Sequence, residues 1–497
     1  MKTVSRTQAN LKVKVSDNMQ NGYQPELKIL SSQDKEKIFD ATLRVLEDVG
    51  MQLMHEEALS LLAGAGCVVD KNRTVKISRD HVKRAIASAP ENIPIYNRLG
   101  EHVMDLGGRR AYFGTGSDLM YAFDAGEGAR HLTSIADIER AARLCDALPN
   151  IDFIMSFAHP HEVDPEIAYL ESFRCMAINS IKPIVNTAKD RSDLKAMWEI
   201  STVFHGGESQ LRQKPYTVHY AEPISPLKHP FSSVDRLIFC AETGMPVIYS
   251  PAPIAGSTAP MSIAGHVVQG LAESLFGLVI HQLTAEGAPF LMGIGTAVLD
   301  MSTSQCSYNA PEYLMAYLAA VEMSHHLNLP NWGYAGTSDS QVPDGQATFE
   351  AGLMAYMSLV AGSNLNHDVG YLDFGLTGSL DMVVIMDEVI DQLRRMQQGV
   401  PVNEETLAVG VIQEGSKQGE FLSHPHTLTH LRTTQWRPRL MNRMGYDQWD
   451  QSGRNDLLAR AHHRLTEIME SHQPCQVDEQ AAKAIQFCLD RYRQGLR

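Results

Sequence analysis

Hydrophobic positions near the start of the chain follow helical spacing. Phe39, Leu43, Leu46 and Val49 recur at intervals of three and four residues, which predicts a helix over 32–50. Further helices near 55–64 and 79–89 flank a predicted hairpin turn at 70–73. We therefore expect residues 1–108 to form a polar arm followed by a small α+β unit.

The pattern changes after Gly108, where short apolar runs begin to alternate with amphipathic stretches. Successive runs start about 29–43 residues apart, the span of one βα unit. The predicted strands are Ala111–Gly114, Phe153–Phe157, Pro183–Asn186, Thr217–Tyr220, Pro246–Ser250, Pro289–Gly293, Asn331–Tyr334 and Leu365–Val369. The predicted helices are Ser134–Leu148, Pro165–Ser180, Ser192–Phe204, Ser233–Gly244, Ile263–Gly287, Ala310–Asn328, Gln346–Ala361 and Leu380–Gln398.

Eight strands alternating with eight helices predict an α/β fold, a (β/α)8 barrel of the TIM type over residues 109–398. A dinucleotide-binding sheet is the weaker alternative, because Gly114-Thr115-Gly116-Ser117 has no third glycine in phase. The alternation stops after about residue 398. Polar sequence with several helical stretches follows, so we predict a helical C-terminal extension over residues 399–497.

Composition excludes several classes of protein. The net charge of −15 argues against nucleic-acid binding, which needs a basic face. Seven cysteines without a CxxC pair indicate buried thiols in a reducing cytoplasm rather than a disulfide framework. The N-terminus has no apolar signal segment, and the apolar stretch 271–283 is interrupted by Glu273 and His281. We expect a cytoplasmic protein that does not bind a membrane.

Aromatic and acidic residues follow several predicted strands, at the end of a barrel where active sites lie. Tyr220, Glu222, Trp332, Tyr334 and Tyr371 could form an aromatic box with a carboxylate, suited to a quaternary ammonium ion. The same rings could instead only pack the barrel rim. Spacing by two residues places Tyr220 with Glu222, and Trp332 with Tyr334, on common strand faces.

Two acids and several histidines offer other chemistry. Glu222 and Asp339 are the candidate catalytic residues, although each could equally hold a neighbouring group. His159, His161 and His219 follow strands and allow an alternative function, a metal-dependent barrel hydrolase or lyase. No cysteine follows a strand, so a thiolate zinc site is not expected, and we predict no metal.

Three segments resemble the trimethylamine methyltransferase family, and the resemblance extends over nearly the whole chain. They are Tyr334-Ala335-Gly336-Thr337-Ser338-Asp339-Ser340, Asp344-x-Gln346-Ala347 and Asn366-His367-Asp368-Val369-Gly370-Tyr371. The archetype of that family carries pyrrolysine and moves a methyl group from trimethylamine to the Co(I) of a corrinoid protein. This chain has only ordinary residues. It is therefore similar to the branch without pyrrolysine, which includes glycine betaine methyltransferases.

The resemblance implies a methyltransferase that acts on a quaternary amine. Cobalamin would be presented by a separate corrinoid protein over the barrel mouth, since the chain lacks the Asp-x-His-x-x-Gly motif that grips this cofactor. Glycine betaine, carnitine, proline betaine and choline all stay open as substrates. A non-catalytic betaine-binding protein is a more distant alternative.

The substrate would be bound by the rings of Tyr220, Trp332, Tyr334 and Tyr371. His367, or backbone amides of the glycine-rich loops, would donate to a substrate carboxylate. We also expect a homo-oligomer, most simply a dimer.

Overall fold

The computed structural model describes residues 25–124, 126 and 128–495 of the 497-residue chain. Its α-helices are α1 Ser32–Arg44, α2 Glu56–Gly64, α3 Arg79–Ser88, α4 Ile135–Ala147, α5 Ala168–Asn179, α6 Arg191–His205, α7 Glu208–Gln213, α8 Phe231–Thr243, α9 Ile263–Thr284, α10 Pro311–His326, α11 Gly345–Ala361, α12 Leu380–Gln397, α13 Glu404–Leu407, α14 Val409–Gln418, α15 Pro425–Thr434, α16 Tyr446–Gln451, α17 Leu457–Ser471 and α18 Glu479–Gly495. A π-helical turn, Val45–Val49, extends α1, and a 3-10 turn covers Asp373–Gly375.

The strands are short. They are β1 Met51–Leu53, β2 Val68–Val69, β3 Thr74–Lys76, β4 Ile93–Tyr96, β5 His102–Leu106, β6 Tyr112–Phe113, β7 Tyr121–Asp124, β8 Ala129–Leu132, β9 Ile184–Asn186, β10 Thr217–Ala221, β11 Lys228–His229, β12 Val247–Tyr249, β13 Phe290–Met292, β14 Val298–Leu299, β15 Cys306–Ser307, β16 Trp332–Tyr334, β17 Leu365–His367, β18 Tyr371–Leu372 and β19 Thr377–Gly378. The predicted α/β class is confirmed.

Parallel pairing connects the eight segments that the sequence predicts as strands. One ladder has the order β9-β10-β12-β13 and a second has the order β16-β17-β6. Single parallel bridges join Gly114 to Phe153, Ile154 to Ile184 and Met292 to Asn331. The carboxyl ends of these segments therefore lie along one edge, which we call the carboxyl edge.

An apolar core lies inside this arrangement. The cluster joins residues of the β4–β5 hairpin to residues on the paired segments. Its members are Ile93, Ile95, Met104, Leu106, Phe153, Met155, Val185, Val218, Ile248, Leu291, Trp332 and Leu365. Tyr112 and Tyr220 pack against it. Alternate strand residues thus point inward, as the period of two requires.

Two compact units can be distinguished among the described residues. One contains residues 391–438 and the other contains residues 26–390 and 439–495. The first unit holds α13, α14 and α15, and within it the Trp436 indole donates to Asp391 at 2.9 Å. The division of the chain at residues 108 and 398 stays a prediction.

Helix α9 is long and apolar enough to cross a membrane by length and composition alone. However, 72% of its most apolar window is buried within the fold. This is the burial pattern of a core helix, and the helix packs against α1, α3, α8 and α10.

Candidate functional site

The end of β10 presents a hydrogen-bonded pair of side chains. The Tyr220 hydroxyl donates to Oε2 of Glu222 at 2.9 Å, so the predicted common face holds. Burial raises the pKa of Glu222, while the Tyr220 hydroxyl and the Arg236 charge lower it. Glu222 is nevertheless exposed to water. It is thus available to a bound cation.

Neighbouring strands β16 and β17 bring together the rings of Trp332, Tyr334 and His367, which we call the ring cluster. Tyr334 pairs in register with His367, and the imidazole stacks on Trp332 at 4.1 Å between ring centroids. The Tyr334 and His367 centroids are 4.7 Å apart. Trp332 is only 3% exposed and belongs to the apolar core, so it forms the floor beneath Tyr220 and His367.

His367 faces protein groups with both ring nitrogens. Its Nδ1 donates to the Gly333 carbonyl at 2.7 Å, and its Nε2 lies 3.4 Å from Oδ1 of Asp368. Burial lowers the pKa of His367 to about 3, so the ring is neutral near pH 7. These contacts do not favour the predicted role of His367 as donor to a substrate carboxylate.

Asp368 turns toward the same cluster because the strand ends one residue before it. Its backbone adopts φ 77°, a conformation that few residues other than glycine favour. Because the strand ends at His367, the alternation of a continuing strand does not apply to Asp368, and its Oδ1 lies 3.4 Å from Nε2 of His367. The side chain is 5% exposed, and burial raises the pKa of Asp368 to about 8.

Tyr371 closes another side of the cluster. Its hydroxyl donates to the Ser117 carbonyl at 2.6 Å, and its ring contacts Phe157 with centroids 6.2 Å apart. Gly116 passes so close that a Cβ atom there would overlap Oδ1 of Asp368 and the Tyr371 hydroxyl. The absence of a side chain at residue 116 is thus what lets these two groups approach.

Asp339 has a different position from Glu222. Its carboxylate accepts bonds from the Ser307 hydroxyl and from the backbone amides of Tyr308, at 3.0 Å, and Asn309, at 3.4 Å. Burial raises its pKa, and these bonds lower it. The group therefore holds the loop before α10 and positions Tyr308, which leaves Glu222 as the predicted acid with a free face.

The sequence does not predict several other residues of the site. Tyr308 and Tyr313 extend the ring cluster, with centroids 5.4 Å apart and Tyr313 5.7 Å from Tyr334. They precede or begin a helix, so a search of strand ends misses them. Asp118 does follow the first strand, but its loop gave no signal that separates it from a turn residue. Burial raises the pKa of Asp118.

The histidines of the metal alternative do not assemble into a site. Nδ1 of His161 lies 3.1 Å from the Thr133 carbonyl, and His159 packs on His161 with centroids 5.2 Å apart. His219 is fully buried, with Nδ1 3.1 Å from the Asn186 carbonyl. Across the described residues, no group of three or more His, Cys, Asp or Glu side chains is placed to hold a metal ion.

Three carboxyl groups thus approach one ring cluster: Asp118, Glu222 and Asp368. Burial raises the pKa of each of them. Among residues 25–495 that the structure describes, none forms a salt bridge with Lys or Arg. Acids that lack a salt bridge to Lys or Arg in the described part of the chain, beside the faces of aromatic rings, form an environment that a cation would stabilise.

Exposed apolar side chains surround the carboxyl edge. Met120 and Leu376 lie on adjoining segments, because the Tyr121 amide donates to the Leu376 carbonyl at 3.1 Å. Met261 and Met301 both lie against Gly256. Their exposed fractions are 42–65%, and Ile224 and Val342 are also exposed after β10 and β16.

Comparison with known proteins identifies the family. The model of the trimethylamine methyltransferase (MTTB) family matches residues 2–496. The chain belongs to the trimethylamine methyltransferase family. It contains no pyrrolysine, which confirms the branch expected from the sequence.

Members of this family from one bacterial species carry two different names. A trimethylamine methyltransferase MttB of Desulfitobacterium hafniense (strain DSM 10664 / DCB-2) is 29% identical over 461 residues, 93% of each chain. A glycine betaine methyltransferase of Desulfitobacterium hafniense (strain Y51) is 27% identical over 466 residues, 93% of this chain and 96% of the relative.

A solved structure shares the fold. The crystal structure of the hydroxylamine MtmB complex matches with a TM-score of 0.50 and 14% identity, covering 88% of each chain. The likeness at this identity concerns the fold alone.

Proposed function

We propose that the protein transfers a methyl group from a quaternary amine, such as glycine betaine, to the Co(I) of a separate corrinoid protein. The observation that carries the proposal is the convergence of Asp118, Glu222 and Asp368 on the ring cluster, with no salt bridge to Lys or Arg among the residues that the structure describes. A trimethylammonium group donates no conventional hydrogen bonds, and it binds to ring faces and diffuse negative charge. The family relationship supplies the reaction class.

We also infer that the eight parallel segments form a closed (β/α)8 barrel. The inference is supported by the pairing order, because β17 pairs with β6 and the bridges at Phe153, Ile154 and Asn331 join the two ladders. In such a barrel the carboxyl edge is the mouth, and residues from several strands can meet there.

The proposed reaction needs little acid–base chemistry from the protein. The C–N bond breaks with its electron pair remaining on nitrogen, so the tertiary amine leaves uncharged. The corrinoid supplies Co(I), a two-electron nucleophile that takes the methyl group. The residues of this chain would therefore bind the cation, fix one methyl group toward the open edge and exclude water.

Docking of a corrinoid protein at the carboxyl edge is supported by the exposed apolar side chains there. Met120, Leu376, Met261 and Met301 form two pairs of flexible side chains on this edge. Methionine adapts to the shape of a partner, and contiguous exposed apolar surface is a mark of protein contact sites.

The test is a spectroscopic assay with free cob(I)alamin as the methyl acceptor. Purified protein is mixed with glycine betaine, carnitine, proline betaine, choline or trimethylamine, and loss of the Co(I) absorbance is followed. We expect enzyme-dependent loss with at least one quaternary amine. Loss with trimethylamine alone, or with none of the quaternary amines, would contradict the proposal.

A further inference from the structure

Arg236 is a cation on the first half of α8. Its Nη1 donates to the Ala188 carbonyl, and its Nε donates to the Ser232 carbonyl at 3.1 Å. Within the described part of the chain, no carboxylate oxygen lies within 4 Å of its guanidinium nitrogens. Burial lowers the pKa of Arg236, because a charged group that is partly removed from water loses hydration.

This cation lies beside the candidate site. Ala188 follows the end of β9, and on the preceding turn of α8 Ser233 donates its hydroxyl to the Glu222 carbonyl at 2.6 Å. The Arg236 charge lowers the pKa of Glu222 and of Tyr169, so these groups are near one another without contact. Arg236 keeps partial exposure to water. Ala188 and Glu222 both follow strands at the carboxyl edge, so these two contacts place the guanidinium close to an anion bound there.

We propose that Arg236 binds the carboxylate of the substrate. The site therefore selects a zwitterionic quaternary amine, an N-trimethylated amino acid, over quaternary amines without a carboxylate, such as choline. The proposal rests on the function proposed above. Glu222 and Arg236 together form a dipole, and a zwitterion placed beside it would set its ammonium group toward Glu222 and the rings. Its carboxylate would then meet the planar guanidinium fork, which matches carboxylate geometry.

A purely structural role is the competing explanation, because the bond to Ala188 ties α8 to the loop after β9. The two roles differ in ligand dependence. A structural role predicts equal losses for every ligand, whereas a carboxylate anchor predicts a loss for betaine alone.

The experiment is calorimetric titration of the parent, Arg236→Gln and Arg236→Lys with glycine betaine and with choline. We expect Arg236→Gln to weaken betaine binding roughly ten- to a hundredfold, the range for a lost charge-assisted hydrogen bond. Choline binding should stay within about twofold of the parent. Arg236→Lys keeps the positive charge but not the planar guanidinium, so its betaine affinity should lie between those of the parent and Arg236→Gln. The lysine variant also provides the test if the glutamine variant does not fold.

Arg191→Gln is the matched control. Arg191 is also close to α8 but is paired with Asp235 and Glu242, so its loss should leave the ratio of betaine to choline affinity unchanged. Parallel losses for both ligands at Arg236, or no loss for betaine, would overturn the proposal. Betaine that binds through Arg236 while no amine consumes Co(I) would instead refute only the proposed methyl transfer.

Discussion

Replacing Asp368 by Asn should change how stability depends on pH. The carboxyl of Asp368 is buried, and its pKa rises from the ordinary 3.8 to about 8. Between these values the unfolded chain has released the proton while the folded protein still holds it. The unfolded state therefore binds fewer protons, and the free energy of unfolding falls as the pH rises.

The size of the effect follows from the two pKa values. From pH 5 to pH 8 this single group lowers the free energy of unfolding by roughly 3 to 4 kcal/mol. The change is about 1.4 kcal/mol for each pH unit over which the folded protein holds one proton more than the unfolded chain. Asparagine has the shape of the protonated acid and does not titrate. The variant Asp368→Asn should thus lose less stability than the parent over this range, by about that amount.

Urea unfolding at pH 5, 6.5 and 8 measures the difference. Asp300→Asn is a useful control, since Ser302 bonds to an exposed carboxylate and lowers the pKa of Asp300. That change should not flatten the pH dependence. If the parent and Asp368→Asn lose the same stability between pH 5 and pH 8, the assignment of a buried, protonated Asp368 is wrong.

The same group should couple pH to ligand binding. Only about a tenth of Asp368 is ionised at pH 7 with a pKa of about 8, and most of it is ionised at pH 9. A bound ammonium group favours the carboxylate, so betaine should bind up to about tenfold more tightly at pH 9 than at pH 7. Calorimetry should find no such change in Asp368→Asn.

Four further outcomes are expected. Single Leu replacements should weaken betaine binding roughly thirtyfold, about 2 kcal/mol, wherever the lost ring face contacts the cation; the positions are Tyr220, Trp332, Tyr334 and Tyr371. Phe in place of each tyrosine should keep most of the affinity. If calorimetry finds unchanged affinity in all four Leu variants, the cation binds elsewhere. Gly116→Ala should abolish binding and lower the melting temperature, and a parent-like melting curve would contradict the predicted overlap. Treatment with EDTA should leave methyl transfer intact. Activity that is lost with EDTA and restored by zinc would instead support the metal-dependent alternative. Light scattering should give a mass above 55.0 kDa, and a particle of that mass would exclude a homo-oligomer.

Much of the strand and helix pattern could be predicted because buried parallel strands are short apolar runs between amphipathic helices. Predicted Thr217–Tyr220 and observed Thr217–Ala221 differ by one residue. The segment Phe153–Phe157 was less regular than predicted, because only Phe153 and Ile154 form bridges and Phe157 has φ 63°. The added sheet β18-β19-β7-β8 was not expected, since its strands are two to four residues long.

The candidate site was predictable only where side chains follow strands. The strand period of two alone predicts that Tyr220 and Glu222 share a face, and their hydrogen bond agrees with this prediction. The position of the Asp368 carboxyl depends on the left-handed backbone of Asp368 itself, and Arg236 lies on a helix. The position of neither side chain follows from strand spacing. The charge of Asp339 makes it a candidate, but its partners, Ser307 and the amides after it, come from a loop whose course no local pattern indicates.

The close approach at Gly116 has a consequence for how this protein can vary. Any side chain at residue 116 would displace Asp368 and Tyr371 together. A lineage that acquires a larger residue there must first shorten one of the other two, since the intermediate with all three would be crowded. The three positions should therefore change as a set among relatives, and a relative with a different residue at 116 should differ in the ligand that it accepts.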